Sequence, residues 1–252
     1  MNDLQGRIAL VTGSSRGIGA AIARVFAERG AAVVVHGRDA EAAMTVTASI
    51  TEAGGRAIAV IADLTRYEEV EAMRDSIEQR LGPVDILVAN AGGSPVPPGP
   101  LEDIAEADWR ESVDANLTTT FLTIKAFLPG MKLRHQGNVI TMSSAAARRP
   151  TAQSPMAYAA AKAGIELLSK EIAAQAGPYG VRVNCLAPET ILTERNKQLI
   201  PEAIQDQLRQ NHPIPRLGTP DDVAQAALFL ASDHSSWISG ITLDVAGGSV
   251  LV

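Results

Sequence analysis

Apolar residues fall along the chain in two alternating rhythms. Short β-branched runs occupy Ile8–Thr12, Ala32–His36, Ala57–Ile61, Val84–Ala89, Asn138–Met142, Val181–Leu186 and Ile241–Val245. Near-continuous apolar runs such as Val33-Val34-Val35 predict strands buried on both faces. Between them lie longer amphipathic stretches: Gly17–Arg29, Ala40–Ala53, Tyr67–Leu81, Trp109–Arg134, Met156–Ala176 and Pro220–Ala231. These predict helices. Strand and helix in alternation mean repeated βαβ units, so the expected fold class is α/β, a doubly wound, seven-stranded parallel sheet covered on both faces.

Two stretches break the rhythm. Ser94-Pro95-Val96-Pro97-Pro98-Gly99-Pro100 predicts a rigid loop after the fourth strand. Glu189 to Pro215 forms a long insert before the last helix, with a helical pattern around Glu202–Gln210 and a His212-Pro213-Ile214-Pro215 end. Ligands of open α/β sheets bind beyond the carboxyl ends of the strands, so 189–215 is read as a substrate loop.

Composition narrows the classes. The 252 residues fit one large domain or two small ones, and no composition shift or repeat marks a boundary, so a single domain over 1–252 is expected. Hydrophobic residues make up 46% against 20% charged, enough for a core. Lys plus Arg number 22 against 28 Asp plus Glu, a net charge of −6, which argues against a nucleic-acid surface. Cys185 is the sole cysteine and there are four histidines, so no intrachain disulfide and no metal site is expected. The polar start Met1–Gly6 does not read as a secretory signal, and no run approaches the ~18 apolar residues of a membrane span. A soluble, cytoplasmic protein without nucleic-acid or membrane partners is the expectation.

The candidate chemistry begins where the first strand enters Thr12-Gly13-Ser14-Ser15-Arg16-Gly17-Ile18-Gly19 and a helix follows. Glycines at such a turn let backbone approach a pyrophosphate, and the helix N-terminus offers free N–H groups. Further along come Asp63-Leu64, Asn90-Ala91-Gly92, Asn116, Ser143-Ser144, Tyr158 with Lys162 four residues on, Asn184 and Pro188. In this order, over essentially the whole chain, these motifs resemble the short-chain dehydrogenase/reductase family, and most of all its 3-oxoacyl-carrier-protein reductases. The resemblance implies a Rossmann-type three-layer domain and hydride transfer between a nicotinamide dinucleotide and a carbonyl or secondary alcohol. It implies that Gly13, Ser15, Arg16, Gly17, Ile18 and Gly19 cradle the cofactor, and that Asp63 and Leu64 face its adenine. It adds Asn90, Ala91 and Gly92, and puts Pro188, Ile191 and Thr193 at the carboxamide. Ser144, Tyr158, Lys162 and Asn116 would be catalytic, Tyr158 and Lys162 also touching the cofactor and Asn116 holding a water that links Lys162 to solvent.

Physical chemistry sets the terms for these roles. A phenol titrates near about 10, and lowering it to about 7 requires roughly 4 kcal/mol. Lys162 and a positive oxidised nicotinamide would favour the phenolate. Of the two serines, Ser144 is expected to meet the substrate oxygen and Ser143 to satisfy backbone. After the second strand, NAD enzymes place an acidic residue for the ribose 2′-hydroxyl. Here that position is Gly37, followed by Arg38, while Arg16 approaches from the glycine turn. NADP(H) is therefore favoured over NAD(H), with Asp39 read as a helix cap.

The chain also departs from the family. Glu189 replaces the glycine after Pro188, which would strain the backbone if that position takes a positive φ. Ala246-Gly247-Gly248 replaces Asp-Gly-Gly, putting the tail contacts in doubt. Arg134 fits one arginine of a carrier-protein docking pair but Tyr179 stands at the other, so a small-molecule carbonyl or alcohol is favoured over a carrier-borne one. Arg148 and Arg149 could bind an anionic substrate. Small residues along the helix after Tyr158 (Ala159, Ala160, Ala161, Ala163, Gly164) allow close helix approach, and the resemblance implies a homo-oligomer, a tetramer. The alternatives are a non-catalytic dinucleotide sensor or scaffold and an NAD-dependent secondary-alcohol dehydrogenase.

Overall fold

A computed structural model describes residues 3–151 and 155–251. Seven parallel strands form one sheet in the order β3-β2-β1-β4-β5-β6-β7: β1 Ile8–Val11, β2 Ala32–Gly37, β3 Arg56–Ile61, β4 Ile86–Ala89, β5 Gly137–Met142, β6 Val181–Pro188 and β7 Thr242–Val245. Each expected run became a strand, with shifts at the ends. The helices are α1 Gly17–Glu28, α2 Ala40–Glu52, α3 Tyr67–Arg80, α4 Glu106–Val113, α5 Thr119–Leu133, α6 Ala145–Arg148, α7 Met156–Ala176, α8 Glu194–Leu199, α9 Glu202–Asn211 and α10 Pro220–Ala231. No described helix is long and apolar enough to cross a membrane.

The strand period of two builds the three layers. Ala9, Val11, Val33 and Val35 face α1, α2 and α10, with Ile22, Phe26, Val46 and Leu230 in one core. Leu10 and Val34 point the other way, onto Val70, Ile77, Phe127 and Ala176 from α3, α5 and α7. A run of three valines thus serves two cores, which is why it carries no polar alternation.

The sheet order reverses between β1 and β4, and the carboxyl ends of these strands form the crevice. Thr12 fastens them: its Oγ1 accepts from the backbone N–H of Asn90 and of Ala91, both at 3.0 Å.

Two expectations needed revision. The helix expected over Trp109–Arg134 begins at Glu106 and is interrupted by a π turn at Asp114–Thr118, joining α4 to α5. The insert carries α8 as well as the helix expected around Glu202–Gln210.

Candidate active site

The glycine turn is built so that backbone, not side chains, faces the crevice. Gly13 and Gly17 take φ of +63° and +57°, which side chains disfavour. A Cβ on Gly19 would stand 2.4 Å from the Gly13 carbonyl and 2.6 Å from Asn90 Nδ2. Asn90 holds that approach, its Nδ2 donating to the Thr12 carbonyl at 2.8 Å. At the start of α1, Arg16 supplies no side-chain cap and the first turn contains no acidic residue. Uncapped N–H groups at a positive dipole end, under a turn without side chains, fit a pyrophosphate.

Ser15 lies against Gly37, where an added Cβ would meet its Oγ at 2.9 Å. Ile18 packs on the α1 side of the core, and Leu64 is buried in the other. Arg38 and Arg16 are both exposed at the rim. Arg16 is held by Asp39 at 2.8 Å, and Asp39 also caps α2 through Ala42 N–H. The Asp63 pKa is lowered because Thr65 donates to it through backbone and hydroxyl, with Arg38 adding a smaller pull. Arg38 and Asp63 thus border the same end of β2 and β3.

His36 is a residue that sequence reasoning missed. Its Nδ1 accepts from Gly13 N–H at 3.2 Å and its Nε2 faces the Ala62 carbonyl at 3.1 Å. Those partners require the neutral Nε2–H form. Burial pushes its pKa down, consistent with that form. The one signal was a histidine ending an otherwise apolar strand.

Across the crevice, the N-cap of α6 and the first two turns of α7 bring Ser144, Tyr158 and Lys162 together. Ser144 Oγ caps α6 by accepting from Ala146 N–H at 3.2 Å, and its hydroxyl is near enough to the Tyr158 phenol to favour the phenolate. Lys162 Nζ donates to the Met142 carbonyl at 2.8 Å and lies 5.4 Å from the Tyr158 ring centre. Burial lowers the Lys162 pKa to about 8. In the protein alone, burial raises the Tyr158 pKa and Ser144 opposes that rise; the lowering expected from the sequence counted on the positive nicotinamide as well. Ser143 turns away, its Oγ bound to Glu166 Oε1 at 2.8 Å and to the Lys162 carbonyl at 3.1 Å.

Asn116 sits buried in the π turn. Its Nδ2 donates to the Gly93 and Ser112 carbonyls, both at 2.8 Å, and its Oδ1 accepts from Gly93 N–H at 3.0 Å. The side chain thus clamps the turn after Asn90-Ala91-Gly92, with both of its amide hydrogens engaged. A Cβ on Gly92 would come within 2.5 Å of Oδ1, so that glycine is required by the clamp.

Pro188 ends β6. Ile191 is buried in the core and bridges to Gly218, while Thr193 caps α8 and packs against Gly17. Glu189 is not strained, because among the described residues with side chains only His135 has a positive φ. Ala246 packs with Ala145 and Val250 in a small buried cluster. The suggestion that Arg148 binds an anionic substrate is overturned: it lies between Glu166 at 3.0 Å and Asp244 at 2.9 Å. Arg149 stays exposed and donates to the Ser249 carbonyl at 3.1 Å. Arg134 is drawn to the Val84 carbonyl at 2.8 Å.

Comparison with known proteins extends these findings. A family model described as enoyl-(acyl carrier protein) reductase matches residues 13–249. The 7α-hydroxysteroid dehydrogenase of Escherichia coli (strain K12) is 40% identical over 247 residues, covering 98% of this chain and 95% of that protein. A 3-oxoacyl-(acyl-carrier-protein) reductase of Vibrio cholerae is 38% identical over 250 residues, covering 99% and 100% respectively. A solved 7α-hydroxysteroid dehydrogenase, in complex with NADH and 7-oxo glycochenodeoxycholic acid, is 40% identical with a TM-score of 0.93, covering 99% of this chain and 96% of that one.

Proposed function

The chain belongs to the short-chain dehydrogenase/reductase family of oxidoreductases, and on that premise we propose that it moves a hydride between NADP(H) and a small-molecule carbonyl or secondary alcohol. The observation that carries the reading is the gathering of Ser144 and the Lys162 ammonium around the buried Tyr158 phenol. When bound, the nicotinamide supplies or accepts the hydride. Tyr158 donates its proton to the carbonyl oxygen as the carbon is reduced, and takes it back from the alcohol in reverse. Ser144 donates to the same substrate oxygen as charge develops there. Lys162, fixed by Met142, places positive charge behind the phenol. Asn116 acts as a positioning residue, holding the Gly93 backbone. Gly13, Ser15, Gly17, Ile18, Gly19, Asn90, Ala91 and Gly92 shape the dinucleotide cradle, with Asp63 and Leu64 at the adenine end and Pro188, Ile191 and Thr193 at the nicotinamide end.

Arg38 and Arg16 favour a 2′-phosphate. Asp39, paired with Arg16, is the feature that favours the NAD-dependent reading, so both cofactors belong in the assay. The engaged Arg134 and the Tyr179 position argue for a free small molecule over a carrier-borne one. Leu117, Phe121, Gly164, Leu167 and Leu168 line an apolar groove on the outer faces of α5 and α7, with Phe121 46% and Leu167 61% exposed. This supports self-association to a tetramer, checked by light scattering of the eluted protein. We place the enzyme in the cytoplasm.

The test is nicotinamide absorbance with ketones, β-ketoesters, acyl thioesters and hydroxysteroids, each with NADPH and NADH. The parent turns over at least one class, and Tyr158→Phe binds cofactor but loses about 10²–10⁴ in turnover. Near-parent turnover in Tyr158→Phe overturns the assignment. Cofactor binding with no turnover of any substrate would favour a sensor.

A further inference from the structure

Glu189 closes β6 beside the loop that carries Ile191 and Thr193, and none of the steps above uses it. Its Oε2 accepts from Thr190 N–H, and its Oε1 from the Thr190 hydroxyl at 3.0 Å. The same Oε2 lies 2.8 Å from Nε2 of His212, at the end of α9. The other ring nitrogen of His212, Nδ1, lies 2.6 Å from the Leu208 carbonyl.

Both neighbours of this imidazole are therefore acceptors. A neutral imidazole has one N–H and satisfies only one of them. The arrangement needs a proton on each ring nitrogen, and Glu189 balances the charge. The His212 side chain is only 4% exposed, so water cannot replace either partner at little cost.

Position gives the pair its consequence. The ends of the insert are pinned by backbone bonds: Leu192 N–H to the Gly218 carbonyl at 2.8 Å and Ile214 N–H to the Gly247 carbonyl at 3.0 Å. Between those pins, the Glu189–His212 contact joins α9 to the loop whose Thr193 packs on Gly17. Other charged groups also face the cavity of about 260 Å³ under the insert. Asp244 comes from β7 and is drawn to Arg148, while Arg216 and Asp222 are bound to each other at 2.7 Å. On α9 itself, Arg209 is paired with Asp206.

We propose that Glu189 and His212 form a positioning clasp that fastens α9 to the 190–193 loop. The effect on catalysis rests on the reading that Ile191 and Thr193 meet the nicotinamide; the clasp itself does not.

The experiment has a limb that needs no substrate. Hydrogen exchange of the free protein is followed by mass spectrometry at one pH near neutrality in the parent, His212→Gln and Glu189→Gln. Glu189→Gln keeps the shape and removes the charge, and so separates the clasp from packing. In both variants, protection over 194–211 falls about tenfold relative to α1 and α5. In the second limb, KM for NADPH in the variants rises about tenfold while kcat changes far less. Parent-like protection and KM in both variants overturn the proposal. Altered protection in a protein that turns over no substrate upholds the clasp and counts against the functional reading alone.

Discussion

Replacing Arg38 with leucine should cost NADPH and spare NADH. Arg38 is exposed at the carboxyl end of β2 and, among the described residues, forms no ion pair within 4.0 Å. Arg16, its counterpart across the rim, already faces Asp39 at 2.8 Å. A 2′-phosphate would therefore draw mainly on Arg38. Hydrogen bonds to a charged group contribute about 1.5–3 kcal/mol, and solvent exposure places this one at the lower end. At about 1.4 kcal/mol per decade, kcat/KM for NADPH should fall roughly tenfold. NADH has no phosphate there, so its kcat/KM should hold and the preference ratio should move by the same factor. A carboxylate at position 37 is the poorer test, because a Cβ there would meet Ser15 Oγ at 2.9 Å and disturb the glycine turn. Asp39→Asn supplies the opposite sign: asparagine still caps α2, while Arg16 is released towards the phosphate, so NADPH preference should grow. The assay is kcat/KM for both cofactors at fixed ionic strength, since exposed charges are screened. Equal losses with both cofactors would show that Arg38 contacts something common to them. A parent that prefers NADH would refute the charge argument outright.

Ser144→Ala should lower kcat by about 10²–10³ with cofactor binding intact, whereas Ser143→Ala should mainly cost about 1 kcal/mol of stability through its lost bond to Glu166; a greater kinetic loss at 143 would reverse the two roles. Lys162→Met should abolish turnover yet raise the melting temperature near neutral pH. The folded Lys162 pKa is about 8 against an ordinary 10.5. Stability is thus gained as pH rises between these values, and below about 8 the buried ammonium costs on the order of 3 kcal/mol, less what its bond to Met142 returns; an unchanged or lower melting temperature would contradict this. His36 has the same sign in a lower window. Its folded pKa lies below 6.5, so its contribution is complete above that value and declines as pH falls through it. His36→Asn should flatten the acid limb of a urea-midpoint profile, and an unaltered limb would locate the titration elsewhere.

Much of this molecule is decided by local periodicity. Val33, Val34 and Val35 must point alternately, so a run of apolar residues can lie only in the middle of a two-faced sheet. Tyr158 and Lys162 lie four residues apart, so one helix face holds both before anything else is known. The glycines at 13, 17 and 19 announce a turn that side chains would fill. What the sequence could not reveal depends on where distant segments return. Arg148 looks like a free cation until α7 and β7 bring Glu166 and Asp244 to it. Asn116 is marked in the sequence by its place in the motif order, but only the π turn shows that it clamps Gly93. Glu189 looks like a strained substitution for glycine until His212, 23 residues on, is folded against it. Backbone geometry repeats over a few residues and leaves its mark in the sequence. A hydrogen bond between side chains is set by the packing of whole elements, and only the assembled tertiary structure chooses the partner.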